Sequence, residues 1–326
     1  MSEEMPLTSD LGANRALSAS VRRLKIQHIG DVESILTLLS EPQPWLSEAE
    51  NLRNRADFIA FSRTLHITIR SAQVKAIQKG GGSPPRWLSS LMMKWCADQT
   101  SVITFNYDTL LEKAFTDTLK SEAQGIDKRD LPWLHSAIYA VPLPKIASPS
   151  PMRRKLVGAT TAMPSAFPRV QSPTLIKLHG SLNWYYSGSE SFFGEAIHDI
   201  GVRAFWKSSA RDRKNAEMER YSSGKVSLLI PPTAGKSPFF QNETVRAQWA
   251  LAQQALRKAE RIYIVGYSLP PGDHMVRHLL SYTVKPFRQE VVVVNPDNSV
   301  CKEVQSLTGG SPEYYSLVSD FVTSYT

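Results

Sequence analysis

The sequence predicts an α/β protein in which a mostly parallel sheet carries helices on both faces, with helical and irregular insertions. Three observations lead there. Five short, largely apolar runs lie at wide intervals along the 326 residues, and strands of that composition are covered on both faces. Helical periodicity occupies much of the spacing between them, as crossovers between parallel strands require. The polar groups with chemical potential fall just after the ends of these runs, where ligand crevices of open α/β sheets lie. This is a Rossmann-like arrangement, read as one domain over residues 1–326.

The N-terminal part, about 7–97, has helical patterning. Leu17 to Leu24, Val32 to Leu39 and Leu52 to Ile77 place apolar residues three and four apart, which puts them on one helical face. Breaks fall at Gly30, at Pro42 and Pro44, and at Gly80-Gly81-Gly82-Ser83-Pro84-Pro85. A further helix is predicted over Arg86 to Ala97.

The strand-rich core covers about 101–119 and 174–326. Its strands are Ser101 to Phe105, Thr174 to Leu178, Val226 to Ile230, Ile262 to Val265 and Glu290 to Val294. Helical runs follow or separate them at Thr109 to Leu119, Val245 to Ala259 and Met275 to Leu280. Two stretches interrupt the rhythm. Residues 123–173 are rich in proline and polar side chains, and 185–224 are mixed and charged. Both read as insertions or caps on the sheet.

Composition narrows the function classes. Two cysteines, Cys96 and Cys301, cannot build a four-cysteine zinc site, and no His/Cys cluster has ligand spacing. No metal is expected. No run reaches the roughly 18 apolar residues of a bilayer span, and Met1-Ser2-Glu3-Glu4 lacks the layout of a secretory signal. A cytoplasmic protein is expected by elimination. The formal charge of +8 is partly local, at Arg153-Arg154-Lys155 and across Arg203 to Arg220. Without a nucleic-acid motif or interleaved aromatics these read as solvated faces, so nucleic acid is expected only indirectly.

Four strand ends carry the chemistry. Thr104-Phe105-Asn106-Tyr107-Asp108 places an amide and a carboxylate two residues apart at a strand-to-helix turn. Asp108 there suits helix capping as well as a site. Lys177-Leu178-His179-Gly180-Ser181-Leu182-Asn183-Trp184 presents a histidine at a strand end. Its ordinary proton affinity near neutrality suits acid/base work. Val265-Gly266-Tyr267-Ser268-Leu269-Pro270 offers a glycine for close backbone approach and a hydroxyl for a ribose or phosphate. Asn295-Pro296-Asp297 offers Asn295 or Asp297 to a ribose hydroxyl, or simply a turn.

Taken together and in this order, the four pieces resemble the sirtuin-like superfamily, and its bacterial antiphage-defence branch more closely than the protein deacylases. TFNYD is similar to that branch's Asn-x-Asp motif and KLHGSLNW to its histidine motif. VGYSLPPGD and VVVVNPD are similar to its ribose-binding strand ends. The resemblance spans roughly residues 7–321.

The resemblance implies an enzyme that hydrolyses the nicotinamide–ribose bond of nicotinamide adenine dinucleotide (NAD), with NAD as substrate. Asn106 would orient the attacking water or the ribose, and His179 would be the general base. Asp108 would shape the nicotinamide subsite, with Thr104, Phe105 and Gly180 lining the same NAD pocket. Gly266, Ser268 and Asn295 would hold the adenosine half. Restraint of such an activity implies a homo-oligomer, or a separately encoded partner such as an Argonaute-like protein or a hexameric ATPase/helicase. The deacylase alternative lacks its zinc cysteines.

One departure stands out. The family opens with an apolar strand running into a Gly-Ala-Gly-x-Ser type loop that receives the pyrophosphate. This chain starts just past that point, and Gly80-Gly81-Gly82 is no substitute because no strand precedes it. The readings are a start codon placed too far downstream, favoured by the intact four motifs, or an inactive member. Either would remove a central strand and leave two neighbouring strands with unpaired edges. A non-catalytic module that binds NAD or ADP-ribose, or scaffolds a complex, is the alternative of a different class.

Overall fold

A computed structural model describes residues 22–23, 35, 38–122, 131–145, 172–187, 194–201, 206, 225–230, 237–270 and 272–325. Most of the helices expected over Leu17 to Leu24 and Val32 to Leu39, the charged residues of both basic runs and most of both expected insertions lie outside these residues. The fold is mixed α/β with small parallel sheets.

The chain forms α1 (Glu48–Lys79), α2 (Arg86–Asp98), β1 (Ser101–Thr104), α3 (Leu110–Glu122) and a 3-10 segment over Leu131–Ile138. After these come β2 (Thr174–Lys177), β3 (Gly180–Tyr186), β4 (His198–Asp199) and β5 (Val226–Leu229). The C-terminal part holds α4 (Ser237–Phe240), α5 (Glu243–Lys258), β6 (Arg261–Val265) and α6 (His274–Thr283). It ends with β7 (Glu290–Val294), α7 (Ser299–Thr308), β8 (Glu313–Tyr315) and α8 (Val318–Tyr325).

Local chemistry accounts for the helix bounds. A capping box starts α1, in which the Ser47 side chain accepts from the Glu50 N–H and the Glu50 carboxylate accepts from the Ser47 N–H. Phe58, Phe61, Leu65, Ile69, Ala72 and Ala76 then fall on one buried face. Asn242 caps α5 by accepting from the Thr244 and Val245 N–H groups. Gly309 closes α7 in the left-handed conformation, where glycine bears no Cβ penalty.

Two separate parallel ladders result. β1 pairs with β2 from Ser101↔Thr174 to Thr104↔Lys177. β6, β7 and β8 form the second, with Arg261↔Glu290 through Val265↔Val294 and then Val292↔Glu313 onward. Alternate residues of β7 enter different cores. Val291 and Val293 pack with Val276, Leu280, Val300 and Val304, while Val292 and Val294 pack with Leu91, Phe321 and Val322. Helix α5 spans both ladders. Ala252 packs with Ile176 and Leu178, and Leu256 with Ile262 and Ile264. Among the described residues, the β1 edge away from β2 and the β6 edge away from β7 have no ladder partner.

The region after β2 departs from the sequence reading. The strand expected over Val226 to Ile230 in the parallel sheet is β5, which runs antiparallel to β3 in a third sheet of order β4-β3-β5. The cause is Gly180, whose φ of +83° turns the chain directly after His179. HGSLNWYY therefore continues as a strand, and one that enters the stretch read as an insertion from residue 185. Its residues Gly180 to Tyr185 are all buried, polar Ser181 and Asn183 included, so no continuous apolar run marks it as a covered strand. No described helix is long and apolar enough to cross a membrane.

Candidate functional site

The strand ends predicted to carry chemistry meet in space. β1 delivers Phe105, Asn106, Tyr107 and Asp108. The β2–β3 junction delivers His179 and Gly180, and the end of β6 delivers Gly266, Tyr267 and Ser268. The Phe105 ring lies 5.5 Å from the His179 ring and 4.4 Å from the Tyr267 ring, centre to centre. Tyr107 faces His179 at 6.4 Å. His179 is buried and set among aromatic faces.

Asn106 is exposed, and its backbone N–H is held by the Thr104 hydroxyl at 3.1 Å. That bond closes a short turn directly after β1. Thr104 thus organises the loop. Tyr107 pins it: its hydroxyl donates to the Ile230 carbonyl at 2.6 Å, and its own carbonyl accepts from the Leu182 N–H at 2.9 Å. Asp108 is buried and accepts from the Leu110 N–H at 3.0 Å, so it fills the capping role anticipated for it. Burial pushes its carboxyl above the ordinary range, partly opposed by Lys177.

Gly180 has a steric reason to be glycine. A Cβ there would sit 2.2 Å from the Leu228 carbonyl oxygen, and φ is already left-handed. Gly266 also has positive φ, at +65°, but faces open space. Ser268 beside it is exposed. Leu269, fully buried at φ +50°, strains the backbone of the same turn.

Asn295 sits elsewhere in the scheme. Its side chain donates to the Tyr267 carbonyl at 3.2 Å and accepts from the Asp297 N–H at 3.0 Å, tying the end of β7 to the β6 loop. Asp297 accepts from the Ser299 N–H at 2.8 Å at the start of α7, and these bonds hold its carboxyl below the ordinary range.

A buried polar chain behind the strand ends escaped the sequence reading. Lys177 donates to Glu112 at 3.0 Å and to the Asp108 carbonyl at 2.5 Å. Glu112 accepts from the Tyr139 hydroxyl at 3.0 Å, Tyr139 accepts from Asn183 at 3.0 Å, and Asn183 also donates to Asp199 at 2.9 Å. Asp199 meets His135 at 2.9 Å. Burial, Glu112 and Asp199 together push the Tyr139 phenol well up. For Asp199, burial pushes the carboxyl up, but His135, Gly201 and Asn183 outweigh it and hold the group down. The signal in the sequence was the set of polar residues inside KLHGSLN, whose Lys177, Ser181 and Asn183 all point into this chain.

Asp273 was also missed. It lies at the end of VGYSLPPGD, is 2% exposed, and brings Oδ2 to 3.7 Å from His179 Nε2. Among the described residues no group of three or more His, Cys, Asp or Glu side chains could hold a metal ion. No family model matches the chain, and no curated protein is significantly similar to it.

Proposed function

We propose that this chain is an NAD glycohydrolase, which cleaves the nicotinamide–ribose bond with water to give nicotinamide and ADP-ribose. The observation that carries the reading is the Phe105 ring, which packs against both His179 and Tyr267 and so brings the strand end that bears exposed Asn106 to His179 and to the open turn at Gly266 and Ser268. Nicotinamide leaves as a neutral molecule, taking the glycosidic electron pair. The protein has to stabilise an oxocarbenium-like sugar and position water, as in other glycosyl cleavages. Asn106 orients the ribose or the water, and His179 takes the proton of that water. Gly266 gives the backbone close approach, and Ser268 donates to the dinucleotide. Asn295 acts on this half of the site through the Tyr267 loop.

The finer fold reading belongs to the same proposal. A doubly wound, Rossmann-like sheet is supported by the two parallel ladders and by the two-sided packing of β7. Depletion of NAD in bacterial antiphage defence, within a homo-oligomer or under a separately encoded Argonaute-like or ATPase partner, is the biological role the resemblance suggests.

The test is release of free nicotinamide from NAD. Asn106→Ala and His179→Ala should each lower it by about 10²-fold or more. Asn106→Ala should leave the melting temperature unchanged, since the side chain is exposed. Wild-type rates in both variants would remove the assignment. ADP-ribose binding with no nicotinamide release would instead favour a non-catalytic nucleotide-binding module. The engagement of Asn295 in structural bonds is the observation on that side.

A further inference from the structure

Asp273 occupies the residue before α6, a position where aspartate ordinarily caps a helix by accepting from backbone N–H groups. Here its side chain makes no capping hydrogen bond. The carboxylate turns the other way. It accepts from the Tyr267 hydroxyl at 2.9 Å and stands 3.7 Å from His179 Nε2, with both groups buried. The backbone takes over the local bonding: the Asp273 N–H donates to Pro270 at 3.0 Å, and its carbonyl accepts from the Arg277 N–H at 3.2 Å. A buried carboxylate is costly unless it is paired. Its position is thus explained by the imidazole and the phenol, and by no need of the helix.

We propose that Asp273 is the carboxylate partner of His179, a positioning residue that raises the proton affinity of the imidazole and so sets its strength as a base. At 3.7 Å the two interact through charge rather than through a formed hydrogen bond. Tyr267 fixes the carboxylate from one side. The same ring packs at a tilt against Phe105, which in turn lies against His179, so carboxylate and imidazole share one aromatic frame.

Other ionisable groups among the described residues have engagements of their own. Tyr107 and Tyr267 present rings to this frame. Lys177 and Asp108 are engaged in the Glu112 network. On Asp273's own helix, Arg277 pairs with Glu303 and donates to the Leu269 carbonyl at 3.1 Å.

The catalytic consequence rests on the glycohydrolase reading, but the charge coupling does not, and the experiment separates them. The proton NMR titration of His179 is followed in the wild type and in Asp273→Asn, the resonance being identified by its loss in His179→Gln among the seven histidines. The midpoint is expected to fall by about one pH unit or more without the carboxylate, and Asp273→Glu should restore part of it. Should Asp273→Asn fail to fold, Asp273→Ser, another good capping residue, serves for the same comparison. An unchanged midpoint overturns the proposal whether or not NAD is cleaved.

In the NAD assay, Asp273→Asn should lower kcat with little change in KM. It should also move the acidic limb of the kcat profile to lower pH by the amount seen in the titration. A KM effect alone, with an unmoved limb, also overturns it. A shifted midpoint in a protein that releases no nicotinamide upholds the charge pair and counts against the glycohydrolase.

Discussion

Replacing Gly180 by alanine tests whether the turn after His179 is built as described. Two costs apply. An alanine held at φ +83° sits in the left-handed region, which costs about 1–2 kcal/mol for a residue with a Cβ. The new Cβ would also lie 2.2 Å from the Leu228 carbonyl oxygen and 3.1 Å from its carbon. That neighbour is backbone in the β3–β5 ladder, so relief requires the strands to part at Gly180↔Leu229. Overpacking of this kind costs about 1–3 kcal/mol, for a total of about 2–5 kcal/mol. Gly266→Ala is the control, because φ there is +65° while nothing lies within 4 Å of the added carbon. It should show the conformational cost alone, about 1–2 kcal/mol. Urea unfolding of both variants measures the two values. Equal losses would refute the close approach of β5 to Gly180, and with it the antiparallel ladder that supports His179 from below.

Removing Lys177 as Lys177→Met should cost about 3–5 kcal/mol, because Glu112 is left buried and unpaired. Adding Glu112→Leu should recover much of that, and a double-mutant cycle showing independent effects would refute the pairing. Asp199 has a lowered folded-state proton affinity, so its stabilisation is present above its ordinary value of 3.8 and is lost as pH falls through the lower folded value. Asp199→Asn should therefore be most destabilised, relative to wild type, near pH 6 and progressively less so towards pH 2–3, where a constant deficit would contradict the sign. Ser268→Ala should weaken NAD binding by about 1 kcal/mol, the value of one hydrogen bond, with stability unchanged because the residue is exposed. Calorimetric titration showing unaltered affinity would take Ser268 out of the site.

Elements whose apolar residues repeat with a clear period were legible in the sequence. The helix expected over Leu52 to Ile77 is the interior of α1, and the expected strand Glu290 to Val294 is β7. What could not be read was pairing direction. Val226–Leu229 is apolar enough for a parallel strand, but its partner is decided by Gly180, and a left-handed φ leaves no mark beyond the glycine itself. β3 was hidden for a related reason. Ser181 and Asn183 are polar yet buried, satisfied by the chain through Tyr139 and Asp199, so they break the apolar run that signals a covered strand.

The same distinction runs through the candidate site. Residues at its rim were legible because exposed Asn106 and Ser268, and buried His179 at a strand end, are unusual where they stand. Residues that support them looked ordinary. Asn295 was read as a ribose ligand, and Asp273 and Lys177 drew no reading of their own; their partners include groups far away in sequence, His179 for Asp273, the Tyr267 carbonyl for Asn295 and Glu112 for Lys177. A side chain's local alternatives can be counted from its neighbours in the chain, but its tertiary partner cannot. Where a residue gives up a local bond worth about 1 kcal/mol, as Asp273 gives up its cap, the tertiary interaction must be worth at least as much. That makes the forgone cap an energetic argument for the tertiary partners of Asp273 taken together, the Tyr267 hydroxyl and the His179 imidazole, independent of any resemblance between this chain and other proteins.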